Sequence, residues 1–545
     1  MSLIDLLERG YFPKELPTQF CSTSFAQVLC SSNTLPVDFI PTSPNDYKHL
    51  KLAKATKYSH ARGGLLRRPL SICNPLAFYR LARELDQEWS MLAPSLQGTP
   101  LSATNPVSTS SGRAILGSKP QSMRPSLAIE TRLNNRFILI TDISRFYQSI
   151  YTHSIAWAIH TKPVAKENRG MTYIGNRIDA LVRSGQDGQT VGIPIGPDTS
   201  LILAEILMQA CDRELLSKLP NIRGYRFIDD YELGFRTRNE AENAFHILES
   251  ILSGYELALN PRKTMIKELP FRLEASWAAP IRSFTIRSKP CGQATDLIAY
   301  FDLASELDKK YPDEAVLQFA VGRLRSIEVA PENWRLFQLL LLGLVVPDPA
   351  LLPFVLEAIN SRANKGAIPA YDEIGEALNT IILEHSNLGH SSEVVWSLWA
   401  SIALNIKLSE AVSVALSICD DSCVALCALH CQSCGLLKGQ LDTTLWSSYM
   451  TTSALYEEHW LLSYEANIKN WLPSNSRKDH VNADPYFSFL KTNSVSFYEA
   501  QRVMPATQTS PLPVPQPTIP PIFYAGASGG YIQNDENETE DERAY

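Results

Sequence analysis

The feature that most restricts this chain is a pair of adjacent aspartates, Asp229 and Asp230, in the tight turn of GYRFIDDYELGF (224–235), between two apolar, aromatic-rich runs. Carboxylates that close repel each other and raise a pKa unless a cation neutralises them. A third aspartate, Asp142, closes the strand-like run FILITD (137–142), 87 positions before Asp229. An Asp-Asp turn on its own is commonly solvated surface. With Asp142 it makes a set that suits two Mg²⁺ ions about 3.5 to 4 Å apart, which activate a hydroxyl and stabilise a leaving pyrophosphate.

Three further elements fall in order around these aspartates. Between them lies GIPIGPDTS (Gly192 to Ser200), a Gly/Pro-punctuated loop opening into a helix, where Gly196 would let backbone approach a base pair or sugar. After them comes LNPRKT (259–264), with Lys263 placed to protonate pyrophosphate. Before them stands RGGLLRR (62–68), a basic turn whose Arg67 and Arg68 suit a triphosphate.

At 545 residues, 45% hydrophobic and 20% charged, the chain can bury large cores and is neither disordered throughout nor collagen-like. Its net charge of −7 hides a split. Residues 1–290 carry 35 Lys and Arg against 26 acids, while 291–545 carry 15 against 31, six of the acids between Asp535 and Glu542. A basic module is thus joined to an acidic one. Up to about 290, strand-like runs alternate with helical stretches such as 200–215, an α+β or α/β pattern. From 291 to 504 short amphipathic helices follow one another, separated by Pro, Gly or Asn, as in an α-solenoid or irregular bundle without a clean repeat period. Residues 505–545 open with seven prolines in 17 positions and read as a flexible Pro-rich and acidic tail. Asp5, Glu8 and Arg9 interrupt any signal peptide, and the longest pure apolar run, Leu339–Val346, is too short for a bilayer, so a cytoplasmic protein without membrane contact is expected. Ten cysteines in so long a chain make no disulfide framework.

In this order the elements resemble reverse transcriptases: Asp142 with Phe146-Tyr147 matches motif A, 192–200 motif B, 227–230 the Y-x-D-D of motif C, and 259–264 motif D. The wording of DISRFYQSIYTHSIAWAIH (142–160), GQTVGIPIGPDTS (188–200) and RRPLSICNP (67–75) is similar to the bacterial abortive-infection and defence-associated reverse transcriptases. That resemblance implies an α+β right-hand polymerase palm and fingers over 1–290, followed by an all-α, HEAT-like helical-repeat domain. It implies that Asp142, Asp229 and the Ile143 carbonyl hold two Mg²⁺ ions, with Mn²⁺ as a possible substitute, and that Asp230 and Lys263 complete the catalytic set. Arg67, Arg68, Tyr147, Gly196 and Ser200 then meet the nucleotide, Tyr147 as the steric gate that favours dNTPs. The implied partners are dNTPs, a single-stranded DNA product, an RNA template or non-coding RNA, and further copies of the chain. Two departures stand out: Ile195 replaces the usual Gln of motif B, and Phe227 the usual Tyr of motif C. The first agrees with polymerases of this group that prime from their own tyrosine and use templates atypically or not at all. Tyr11 in GYFPKELP is the first candidate primer, ahead of Tyr524, Tyr531 and Tyr545 on the tail. The alternatives are a retroelement enzyme copying RNA, or a nucleic-acid-binding scaffold with a relict palm.

Other features have plainer readings. Cys419, Cys423, Cys427 and Cys431 recur every four residues, with His430 and Cys434 alongside, and make a small apolar stripe for helix packing rather than a zinc site. His153 and His160 could form a proton relay, but His153 reads as an orienting or packing residue.

Overall fold

The computed structural model describes residues 2–31, 39–62 and 66–502. Strand β5, Phe137–Asp142, organises the first half because its FILITD run is buried from Ile138 onward and so needs cover on both faces and both edges. The eight strands are β1 (Thr56–Ala61), β2 (Arg67–Ile72), β3 (Pro106–Ser108), β4 (Ile115–Gly117), β5, β6 (Arg223–Phe227), β7 (Asp230–Phe235) and β8 (Met265–Glu268). Four of them form an antiparallel sheet in the order β6-β7-β5-β8. Helix Arg238–Gly254, opened by a Thr237/Glu240 capping box, packs on β5 and β7, and Arg124–Arg132 packs on β6 and β7. The long helix Asp198–Lys218 is buried along most of its length because other elements surround it. β1–β2 and β3–β4 are separate two-stranded hairpins.

From Ala278 onward every helix or strand is helical among the described residues. Eight helices there form four successive pairs: Pro290–Lys310 with Val316–Arg323, Trp334–Val345 with Leu352–Ala363, Tyr371–His385 with Ser391–Leu404, and Glu410–Ser417 with Ser422–Ser433. Within each pair the two helices pack together. First members stack on first members and second on second, giving two layers. Successive helices from the second to the seventh start at 316, 334, 352, 371, 391 and 410, a spacing of 18 to 20 residues that residue identities do not display.

The cysteine stripe lies in the second layer, as its spacing implies. Cys423, Cys427 and Cys431 are fully buried on a helix between Ser391–Leu404 and Trp460–Ile468, and burial pushes the Cys427 thiol up to about 12. These thiols sit where small apolar side chains let neighbouring helices approach. His153 bonds Asp179 at 2.8 Å, and His160 Nε2 accepts from the Gly175 amide, so both tie one helix to its neighbour.

The helical half closes back on the start of the chain. Phe20 bridges Tyr498, the Cys21 amide donates to the Phe497 carbonyl and the Ser496 amide to Ser24 Oγ. Tyr11, Phe12 and Phe25 pack on Phe497. One buried apolar core runs from Leu6 to Tyr498.

Candidate active site

β6 and β7 form a hairpin with a two-residue turn, Ile228-Asp229, so Phe227 and Asp230 are cross-strand partners. Asp230 is in turn opposite Asp142 across β5–β7. The register therefore brings three carboxylates from two distant segments to one sheet end. Ile228 adopts φ of 57°, a left-handed conformation that a β-branched residue avoids. Such strain persists where the surroundings over-determine it. Here the Ile228 amide donates to Thr104 Oγ1 at 3.0 Å, and its carbonyl accepts from Arg226 Nη1 at 2.7 Å.

Arg226 is fully buried beneath the turn, paired with Glu205 and Asp212 at 2.8 Å each, both also fully buried. Tyr231 donates to Asp212, and Ser102 and Thr104 donate to Glu205. A buried charge tolerates this only if every partner is satisfied. Two carboxylates and several hydroxyls meet that demand and hold Arg226 against the Ile228 carbonyl.

The three aspartates differ in their surroundings. Asp142 is 5% exposed, and its Oδ2 accepts from Lys263 Nζ at 2.6 Å. Asp230 pairs with Arg124 at 2.7 Å, and Arg124 also lies 4.7 Å from the centre of the buried Phe227 ring, so this position uses an aromatic face and no hydroxyl. Asp229 has no ion pair among the described residues. Burial, then the charges of Asp230 and Asp142, push its carboxyl up to about 7. Burial also raises Asp142, opposed by Lys263.

This donor set fits a hard divalent cation. Oδ1 of Asp142 is buried with no partner at hydrogen-bond geometry among the described residues, Asn260 being the polar side chain that acts on this carboxyl besides Lys263, and a carboxylate with a raised pKa gains from nearby positive charge. The segment Ala258–Asn260 pairs antiparallel with Asp142–Ser144: the Ser144 amide donates to the Ala258 carbonyl and the Asn260 amide to the Asp142 carbonyl, so the Ile143 carbonyl is turned away from this segment.

The expected nucleotide contacts are placed unequally. Of the aromatic pair, Phe146 points into the core, whereas Tyr147 is partly exposed and feels the charges of Asp229 and Arg68. Arg68 is exposed on β2, and Arg62, across from it at the same end of that hairpin, feels Asp229. Arg67 does not present its guanidinium to this site: it forms a two-pronged pair with Glu393 of the helical half, at 2.6 and 2.8 Å, and bonds Ser59. Gly196, at φ 130°, approaches its own chain rather than open space, since a Cβ there would lie 2.6 Å from Pro13 Cγ. Ser200 is buried in the first helical turn and not open to a nucleotide. The motif B loop is instead a joint: the Ser71 amide donates to the Ile195 carbonyl, Ile193 to Tyr147, and Arg113 binds both Asp198 and the Gly196 carbonyl.

Tyr11 must be withdrawn as a primer in this fold. Its ring is fully buried among Phe12, Phe25, Phe78 and Phe497, and its hydroxyl donates to the Cys73 carbonyl, so it cannot approach a phosphate. Tyr524, Tyr531 and Tyr545, with Gly63, Gly64 and Leu65 of the basic turn, lie outside the described residues.

Sequence reasoning passes over Arg226, Glu205, Asp212 and Arg113. A signal exists for the first three. Glu205 and Asp212 sit seven apart on one face of a helix that is mostly apolar between Leu201 and Cys211, which is expensive unless a buried cation answers them.

Residues 97–281 match the sequence model of the family described as reverse transcriptase (RNA-dependent DNA polymerase). The chain therefore contains a reverse transcriptase domain, that of a nucleotidyltransferase, and the sheet and its surrounding helices are its palm and fingers. Domains of this kind generally depend on divalent metal. Among solved structures, apo telomerase from Candida tropicalis matches with TM-score 0.31 and 10% identity over 62% of this chain and 65% of that one. Telomerase from Candida albicans, in complex with the TWJ fragment of telomeric RNA, matches with TM-score 0.28 and 12% identity over 66% of this chain and 65% of that one. This chain spans 65% of the length of either telomerase chain. No curated protein matches. No helix among the described residues is long and apolar enough to cross a membrane.

Proposed function

We propose that this reverse transcriptase domain polymerises dNTPs into DNA at Asp142, Asp229 and Asp230. The observation that carries this reading is a buried carboxylate oxygen with no partner at hydrogen-bond geometry among the described residues, Asp142 Oδ1, beside a carboxyl raised to about 7 at Asp229. Both are costly unless the site works with bound cations. Asp142, Asp229 and the Ile143 carbonyl would hold two Mg²⁺ ions, with Mn²⁺ as substitute, which when bound supply the charge that activates an attacking hydroxyl and steadies leaving pyrophosphate. Within the chain, Arg124 pairs with Asp230 beside them, and Lys263 balances Asp142 and is the proton donor for pyrophosphate. Tyr147 stands where a ring would exclude a ribose 2′-hydroxyl, and Arg68, joined by Arg62, offers charge to the triphosphate.

The finer reading rests on the wording of motifs A and B and on Ile195. It is an antiviral-defence enzyme, self-primed from a tyrosine, with atypical or no templating, whose paired helices form a HEAT-like repeat domain. With Tyr11 buried, the primer falls to the tail tyrosines. The purified protein should incorporate labelled dNTPs in Mg²⁺ and Asp229→Ala should not; incorporation by that variant would overturn the assignment. DNA should remain on the denatured wild-type chain and vanish in one of Tyr524→Phe, Tyr531→Phe or Tyr545→Phe. Release of all product on denaturation would remove self-priming while leaving polymerisation intact. Loss of phage protection in Asp229→Ala tests the defence role.

A further inference from the structure

In the third helix pair, nine residues turn three metal-ligating side chains onto one another. Helix Tyr371–His385 ends on a histidine, a short 3₁₀ turn follows, and Gly389 at φ 64° reverses the chain so that His390 stands before Ser391–Leu404 with Glu393 in its first turn. His385 Nδ1 and His390 Nδ1 are 2.8 Å apart, and Glu393 Oε1 lies 3.6 Å from His390 and 3.9 Å from His385. A triangle with these sides has a point about 2.1 Å from all three corners, the bond length of zinc to imidazole nitrogen and carboxylate oxygen.

We propose that His385, His390 and Glu393 bind one first-row divalent transition metal, zinc in the first instance, through two imidazole nitrogens and one carboxylate oxygen. Two imidazoles favour such a metal over Mg²⁺, which prefers oxygen and water. The carboxylate is held from behind, as ligating carboxylates are: Glu393 is 3% exposed, gripped by both guanidinium nitrogens of Arg67 and by Ser392 Oγ at 2.7 Å. The fourth position opens on a cavity of about 220 Å³ lined by both histidines, Asp420, Asp421, Glu458 and His459. Around this centre Glu393 pairs with Arg67 and Glu458 with Lys57, while Asp420 and Asp421 have no Lys or Arg partner among the described residues. Without metal, the same two histidines share one hydrogen bond, so one nitrogen donates and the other accepts. That arrangement is the rival the experiment must separate.

The full chain, stripped with chelator, is titrated with Zn²⁺ in excess Mg²⁺ to occupy the palm carboxylates. One saturable equivalent per chain is expected, with Co²⁺ giving the visible bands of a four-coordinate site. His385→Gln and His390→Gln should each weaken binding at least tenfold, while Asp229→Asn should leave it unchanged. No saturable equivalent, or one that survives the double histidine variant, would overturn the site. X-ray absorption of the zinc-loaded wild type needs no variant to fold: two imidazoles and no sulfur are expected, and sulfur ligation would sink the proposal.

Discussion

Asp229 is the one aspartate of the three without an ion pair among the described residues. Its carboxyl, raised to about 7, binds a proton more readily in the folded chain than in the unfolded one, where it titrates near 4. Between those values the native state holds more protons, so stability falls as pH rises from about 4 to about 7, and the deficit persists above. Asp229→Asn removes the charge. In metal-free buffer it should raise Tm by about 2–4 °C at pH 8, and by less at pH 5; a variant no more stable than wild type at pH 8 would contradict the raised carboxyl. Adding Mg²⁺ should stabilise the wild type and not the variant, since only a group that binds the native state shifts the equilibrium. Tyr147 makes a prediction about choice rather than stability: Tyr147→Ala should raise the rNTP/dNTP incorporation ratio about tenfold or more, measured by competition on the same primer, and an unchanged ratio would remove this ring as the gate.

The hairpin Phe227–Asp230 is an element made by what lies under it. Removing one member of a buried ion network leaves the others uncompensated, at a cost of about 3–5 kcal/mol. Arg226→Met should lose that much by urea unfolding, and adding Glu205→Gln and Asp212→Asn should recover part of it. If the single variant costs under about 1 kcal/mol, the network does not hold the turn. Here the limits of sequence reading become physical. FILITD and the aspartate turn are legible because a central strand and a two-residue hairpin are local patterns, and their pairing follows from the carboxylates' need for shared cations. Gly196 and Arg67 were legible only as residue types. Gly196 answers to Pro13, and Arg67 to Glu393 more than three hundred positions away, contacts that no local window contains. The helical pairs escaped for another reason: their 18-to-20-residue spacing is set by helix and loop length, so it survives when the identities diverge.

At the scale of the molecule, polymerase and helical halves share one core and several joints, among them the Arg67–Glu393 pair, the ion pairs of Lys51, Lys54 and Lys57 with Asp484, Glu457 and Glu458, and the seam of residues 19–24 with 496–499. Phe497 is fully buried against Tyr11, Phe12, Phe25, Trp460 and Tyr464. Phe497→Ala should therefore cost about 3–5 kcal/mol. Sheet and helices should melt together, followed by circular dichroism and tryptophan fluorescence; separate transitions would show that the halves are independent.

The seam also sets an order of events during folding. Tyr11, Phe12 and Phe25 precede the polymerase strands and the paired helices, yet their partner Phe497 follows them all. Contacts so distant in sequence form late. The motif B loop leans on the same N-terminal segment through Gly10 and Pro13, so the polymerase acquires its final shape only when the helical half is complete. A chain that stops short of Phe497 carries the three aspartates without one of the rings that the N-terminal aromatics pack on.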